Sequence, residues 1–189
     1  MKIALRVTLF TLVLTGLLYP LVVTALAQVM FGRRANGSMI GDVGSELIGQ
    51  SFTTAPYFHS RPSASGYDAA NSSGTNLAVT SKKLRDDATE LARVYRTENA
   101  LRDDDEIPVD AVSRSASGID PHISPANARL QLARVAKARG VSIDRVRPIV
   151  DQYVDGPELG FLGEARVDVL VLNLALDRTF GAPPTTTAR

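Results

Sequence analysis

V-T-L-F-T-L-V-L-T-G-L-L-Y-P-L-V-V-T-A-L-A-Q-V-M-F, residues 7–31, runs 25 positions without a charged side chain. Lys2 and Arg6 precede it, and Arg33 and Arg34 follow it directly. As a helix rising about 1.5 Å per residue it would be roughly 37 Å long, enough to cross a hydrocarbon core of about 30 Å with some tilt. The alternative is a cleaved signal peptide, which has the basic start, the apolar run and an A-x-A-like site at Ala25-Leu26-Ala27. The run from Val7 to Thr24 already exceeds the usual signal-peptide core, and apolar character continues to Phe31 before two arginines stop it. These features favour a retained anchor. Pro20 is tolerable in such a helix because neighbouring groups can re-satisfy the backbone it frees. Tyr19, near the middle, points to a face packed on protein. The flanking charges are nearly balanced, with a slight lean toward an inside N-terminus.

Outward from the anchor, the remaining chain is one ordinary domain in length. The expected organisation is a short N-terminus at 1–6, a membrane helix at 7–31, a connector at 32–44, a folded domain at 45–180 and a disordered tail at 181–189. All 20 acidic residues lie after Arg34, against 17 basic ones there, so the overall +1 conceals a soluble part near −3. No basic surface for nucleic acid follows from that balance. The chain has no cysteine, which removes thiolate chemistry, disulfides and cysteine-ligated zinc.

Within the domain, Ser45–Phe52 reads as a strand bounded by turn residues. Residues 53–76 keep no period and contain Pro56, Tyr57, Phe58, His59, Arg61, Pro62 and Tyr67, which reads as a long structured loop presenting a surface. Thr80 or Ser81 caps a helix over 82–101, whose stripe is Leu84, Ala88, Leu91, Ala92 and Tyr95. The acidic run 103–106 ends it; it lacks the alternating ligands and central glycine of a calcium loop. I-P-V-D-A-V, residues 107–112, alternates as a strand would, and 113–125 forms a second polar loop. Ser124-Pro125 starts a helix that runs to Arg139, with Gly140 as its left-handed terminator. Ser142 caps the next helix, which Pro148 should bend and Gly156-Pro157 closes. Residues 161–166 form a turn or short strand. Residues 167–180 favour a buried helix with Asp168 as a possible cap. The fold class is therefore α+β, with one transmembrane helix before a single mixed α/β domain.

Candidate chemistry is sparse. No phosphate loop G-x-x-x-x-G-K-[ST] and no G-x-G-x-x-G occurs. His122 lies near Asp120, Ser115, Ser117 and Ser124, but sequence neighbours alone do not make a catalytic triad. His59 and His122 could ligate a metal with Asp68 or Asp120, without any supporting spacing. Arg61 could hold an anion or pair with a carboxylate. Residues 71–76 suit docking to another protein, or form a simple glycine-containing turn.

Taken in order, several segments resemble one family. They are Y-P-L (19–21), A-N-G-S (35–38), G-S-E-L-I-G-Q-S-F (44–52), Y-F-H-S-R-P-S-A (57–64), S-S-G-T-N-L (72–77), S-A-S-G-I-D-P-H-I-S-P (115–125), R-V-A-K-A-R (134–139) and V-D-V-L-V-L-N-L-A-L-D (167–177). Each is weak alone, but the ordered set closely resembles the C subunits of the bacterial Kdp potassium-transporting ATPases. Ser73 and Asp168 depart from the Gly and Asn often found in that family. The threonine-proline tail lies outside the pattern.

The resemblance implies a retained single-pass anchor in the bacterial inner membrane, with the N-terminus cytoplasmic and the main domain extracytoplasmic. It implies partners: a channel-like potassium-binding subunit, a P-type ATPase subunit, a small accessory peptide, and the lipid bilayer. It also implies a non-catalytic role in assembly and in raising the ATP affinity of the ATPase subunit. No cofactor is expected on this chain, since ATP and K⁺ belong to the complex. The candidate partner interface is Tyr19, Pro20, Tyr57, Phe58, Arg61, Ser63, Ser73, Gly74, Asn76, Ser117, Asp120 and His122. Two rival readings are a membrane-anchored periplasmic ligand-binding module and a hydrolase using Ser117 and His122.

Overall fold

The computed structural model describes residues 1–183. Most of the expected tail lies outside the described residues; Gly181–Pro183 carry no regular structure. The chain divides into two compact units, Met1–Leu47 and Ile48–Arg189.

The first unit is built on helix α1, Lys2–Ala35, which is long and apolar enough to cross a membrane and has no buried residue. Its middle, Leu14–Leu18, is a π turn, where the Tyr19 N–H reaches back to the Leu14 carbonyl. Pro20 follows at once. Proline removes one helical donor and crowds the carbonyl four residues back, and a locally wider turn relieves that crowding. Thr11 and Thr15 return their hydroxyls to the carbonyls of Val7 and Thr11, at 2.8 and 2.7 Å, which satisfies these two polar groups on the apolar rod. The helix passes the expected connector boundary at residue 32. Beyond it, β1 (Met39–Ile40) and β2 (Gly44–Ser45) pair as a small antiparallel ribbon. An Arg33–Glu46 ion pair at 2.5 Å joins the ribbon to the helix end.

The second unit contains α2 (Lys82–Asn99), α3 (Val109–Val112), β3 (His122–Ile123), α4 (Pro125–Arg139), α5 (Ile143–Gln152), β4 (Val154–Asp155), β5 (Arg166–Asp168) and α6 (Val169–Phe180). The three strands form an antiparallel sheet in the order β3-β5-β4, with Ile123 opposite Val167 and Val167 opposite Val154. Several expected helix ends hold to the residue. Ser81 accepts from the Leu84 N–H, and Ser124 from the Asn127 N–H with Pro125 at the first turn. Gly140 closes α4 at φ 65°. Asp168 caps α6 by accepting from the Val171 N–H.

Helix α6 is buried on most sides, with Val169, Leu170, Leu172, Asn173, Ala175 and Leu176 all inaccessible or nearly so. It therefore behaves as the central post of the domain rather than a surface helix. The core around it takes Phe58, Ile123, Leu132, Val135, Val146, Val150 and Val167. Each such side chain contributes about 1.5–3 kcal/mol on burial.

Three sequence expectations are corrected. Ser45–Phe52 is not a strand: only Gly44–Ser45 pairs, and the Gly49 N–H instead meets the Ile119 carbonyl at 2.8 Å. Residues 107–112 are not a strand either. Pro108 opens a helical turn that exposes Val109 at 76% and buries Ala111 at 5%. That turn lets the Asp110 carboxylate accept from the Ser124 N–H and hydroxyl at 2.8 and 2.9 Å, which a flat strand would not offer. Helix α5 ends at Gln152 rather than at Gly156-Pro157, because Val154 and Asp155 are taken into the sheet.

A segment without secondary structure is held by the helices. Asn173 accepts from the Phe58 N–H at 2.8 Å and donates to the Phe58 carbonyl at 2.9 Å. Gln131 does the same for His59, at 2.7 and 3.2 Å. Arg134 donates to the carbonyls of Ala55 and Tyr57, and Arg139 to that of Pro56. Two side-chain amides and two guanidiniums thus replace a β-ladder for residues 55–59. An Asn173→Leu variant keeps the volume but strands both Phe58 backbone groups in the core. It is expected to lose about 2–4 kcal/mol of stability, read by urea unfolding of the full chain in detergent.

Candidate functional site

The two long polar loops, 53–76 and 113–125, meet and lock together. The Ser115 N–H donates to the Pro62 carbonyl at 2.8 Å. Arg114 donates to the Ser63 carbonyl at 2.7 Å, and Ser63 Oγ to the Gly118 carbonyl at 2.6 Å. Ser72 Oγ donates to the Ser117 carbonyl at 2.8 Å. Tyr67 turns its hydroxyl onto the Arg61 carbonyl at 2.5 Å, and its N–H onto Ser63 Oγ at 3.1 Å. The close approach requires residues without side chains. A Cβ on Gly74 would lie 2.6 Å from the Ala116 carbonyl oxygen, and one on Gly118, at φ +72°, would collide with Ser65 Oγ and the Ser73 carbonyl.

Charge joins the same loops. Arg61 pairs with Asp120 through Nη1 at 3.0 Å and reaches Ser113 Oγ through Nη2 at 3.3 Å. Its Nε is the one buried side-chain nitrogen or oxygen without a hydrogen bond among the described residues. Asp120 also accepts from the His122 N–H at 3.0 Å, and the His122 ring lies 3.5 Å away. Burial pushes the Asp120 carboxyl up, but hydrogen bonds from His122 and then Arg61 outweigh it and hold it below its ordinary value. Arg61, Asp120 and His122 line one cavity of about 470 Å³, together with Asp110, Ser124, Glu164 and Arg166. Two of its carboxylates are occupied by local donors, Asp110 by Ser124 and Asn127 and Asp120 by Arg61.

Each expected interface residue now has a place. Tyr19 is 65% exposed on α1. Ser73, Asn76 and Ser117 are exposed on the locked loops, and Tyr57 and Gly74 are half-buried. Phe58 is corrected: it has no exposed surface and belongs to the core. Arg61, Ser63 and Asp120 hold the loops in shape. Ser117 Oγ faces Ser115 Oγ at 3.1 Å and accepts from the Ile119 N–H, while the His122 ring turns to Asp120. The serine–histidine contact a hydrolase needs is not formed. His59 pairs with Glu98 at 3.5 Å, so the two histidines have separate carboxylate partners.

Sequence reasoning missed a buried polar chain. The Tyr95 hydroxyl donates to Asn127 Oδ1 at 2.8 Å, Asn127 Nδ2 to Asp110 at 2.9 Å, and Gln131 Nε2 to Asn127 Oδ1 at 2.8 Å. The available signal was Asn127 between two alanines at the start of a helix, in P-A-N-A-R-L, since a buried amide must find partners.

A helix of membrane-crossing length, joined to a small α/β domain whose surface loops are tied to each other, defines a membrane-associated protein with one candidate span. The family model described as KdpC, the c chain of the K⁺-transporting ATPase, matches residues 1–178, and the chain belongs to that family. The Potassium-transporting ATPase KdpC subunit of Myxococcus xanthus is 55% identical over 188 residues, covering 96% of this chain and 89% of that protein. The protein of the same name from Koribacter versatilis is 51% identical over 185 residues, covering 93% of each. That of Mycobacterium tuberculosis is 52% identical over 181 residues, covering 93% of this chain and 96% of the relative. This chain is therefore an accessory subunit type of a potassium-transporting ATPase.

Two outcomes are expected of the site. Gly118→Ala should cost more than about 1 kcal/mol, because it adds loop collision to an unfavourable backbone angle. Gly66→Ala, also at positive φ but with open space around its Cβ, should cost less, and the difference in unfolding midpoint measures the loop contact. The second concerns pH. Burial, then the Arg134 guanidinium, lower the His59 pKa below its ordinary 6.5, outweighing Thr54 and Glu98. The unfolded chain then binds a proton that the folded chain refuses. Stability from this site is present above that ordinary value and is lost as pH falls below it, down to the folded pKa. Thermal unfolding at about pH 7.5 and about pH 5.5 should show the loss, and His59→Gln should reduce it.

Proposed function

We propose that this chain is the non-catalytic accessory subunit of a high-affinity, ATP-driven potassium-uptake complex. It supports assembly and raises the ATP affinity of the ATPase subunit from a distance. The observation that carries this reading is the family match over residues 1–178. In this reading α1 is a retained single-pass anchor in the bacterial inner membrane, with residues 1–6 cytoplasmic and the main domain extracytoplasmic. Its partners are the channel-like potassium-binding subunit, the P-type ATPase subunit and the small accessory peptide.

That topology constrains the mechanism. A domain outside the membrane cannot touch cytoplasmic ATP. Its effect on nucleotide affinity must be a coupling free energy, transmitted through a conformational equilibrium of the partner subunits. The sequence has no phosphate loop, which agrees with action at a distance. The helix packs on the transport subunits through the face carrying Tyr19 and Pro20, where the π turn alters the surface of the rod. The domain contributes the locked block of loops 53–76 and 113–125, presenting Ser73, Asn76 and Ser117. Arg61, Ser63 and Asp120 act behind that surface by fixing its shape. The mild negative charge of the domain raises local K⁺ only slightly, because physiological salt screens beyond about 8 Å.

The test is ATP-driven K⁺ uptake by the complex with and without this subunit, with ATP affinity read in parallel. Loss of assembly without it supports the clamp. Intact assembly with lowered ATP affinity supports coupling. No change in either quantity would sink the proposal. Replacement of residues 71–76 by a flexible linker should weaken co-purification, and ATP binding by the isolated subunit would refute action at a distance.

A further inference from the structure

The hairpin between β4 and β5 carries a feature that the loop block does not explain. Its tip, E-L-G-F-L-G at 158–163, exposes Leu159 at 83%, Phe161 at 73% and Leu162 at 49%. Among the described residues of the second unit, no other run of four places three large apolar side chains in the open. Exposure of single apolar residues is ordinary; a cluster on a defined turn is not.

The tip is fixed rather than loose. The Glu158 N–H donates to the Leu162 carbonyl at 2.8 Å, and the Leu162 N–H returns to the Glu158 carbonyl at 2.9 Å. Leu159 holds φ at +54°, a region that a branched side chain enters only at a cost. Glycine would occupy that position without strain, and the Leu159 side chain gains no burial within the chain. Burial within the described residues does not offset the strain at this exposed leucine.

The surrounding charge selects the occupant. Asp155, Glu158 and Glu164 stand around the tip as exposed acids. Arg166 lies 3.5 Å from Glu158, and Arg61, already paired with Asp120, lines one cavity with Glu164. A second copy of the same tip would bring like charges together. An anionic lipid surface would be repelled by the same acids and attracts basic segments instead. A protein pocket with an apolar floor and a basic rim matches both the side chains and the charge. We propose that Leu159, Phe161 and Leu162 dock into such a pocket on another subunit of the potassium-uptake complex. The inference rests on the accessory-subunit reading and adds to it a contact separate from the locked loops.

Because the chain has no cysteine, Phe161→Cys introduces a single thiol. Maleimide labelling is compared for the subunit alone and for the assembled complex in the same detergent, with Lys83→Cys on α2 as an exposed control. The expected result is loss of labelling at Phe161→Cys in the complex while Lys83→Cys stays reactive. Equal labelling of Phe161→Cys in both states would overturn the inference. So would protection of the lone subunit by vesicles of phosphatidylglycerol, which would make the occupant a lipid surface. Truncating a buried aromatic anchor commonly weakens an interface by about tenfold or more. Co-purification of Phe161→Ser and of Glu158→Lys/Glu164→Lys should therefore fall, the second through charge alone. An intact wild-type complex with an unprotected tip refutes the docking contact alone. A protected tip whose Phe161→Ser variant assembles normally keeps the contact and counts against the assembly role.

Discussion

The domain depends on a segment that has no secondary structure of its own. Residues 55–59 run along the edge of its core and insert Phe58 into it, where unpaired backbone groups would be costly. Asn173 and Gln131 supply bidentate amides to two successive residues, and Arg134 and Arg139 cover the carbonyls before them. This arrangement places Phe58 in the core and fixes where the long loop after it emerges. Arg139 is nearly fully buried at its side chain, yet it is compensated by Asp177 at 2.8 Å and by the Tyr57 ring at 5.1 Å. Buried charge is expensive, so such a residue is kept only where its hydrogen bonds are complete.

From that fixed point the surface follows. The chain leaving the clamp continues through the rest of loop 53–76, which is zipped to 113–125 through carbonyls, serine hydroxyls and two glycines with no room for a side chain. The Arg61–Asp120 pair is about three-quarters buried on both sides, so its attraction is less screened than that of a surface pair. Internal bonding of this kind yields a rigid presenting surface. A rigid surface loses little entropy on docking, which suits the assembly role proposed for this subunit.

The candidate site was partly legible. Arg61, Asp120 and His122 were identifiable as chemistry-bearing residues in polar loops, and they do converge on one cavity. Their roles were not legible, because whether an arginine meets a partner or a carboxylate depends on the other loop. Phe58 looked like a surface aromatic because its neighbours Pro56 and His59 read as loop. Only the amide of Asn173, 115 residues away, makes its burial possible. The Tyr95–Asn127–Asp110 chain was hidden for the same reason, since its members lie on three separate helices.

The sequence by itself determined the long apolar helix, the caps at Ser81, Ser124 and Asp168, the glycine stop at 140 and the buried character of the last helix. These depend on hydrophobic run length or on hydrogen bonds reaching three to five residues along the chain, which local order encodes directly. Tertiary structure alone decided that residues 45–52 stay out of a sheet, that 108–112 turn helically, and that the two polar loops close on each other. In each case the competing conformations satisfy local preferences about equally. The choice falls to partners tens of residues distant: a backbone carbonyl at Ile119, the Ser124 cap and the Gly118 peptide.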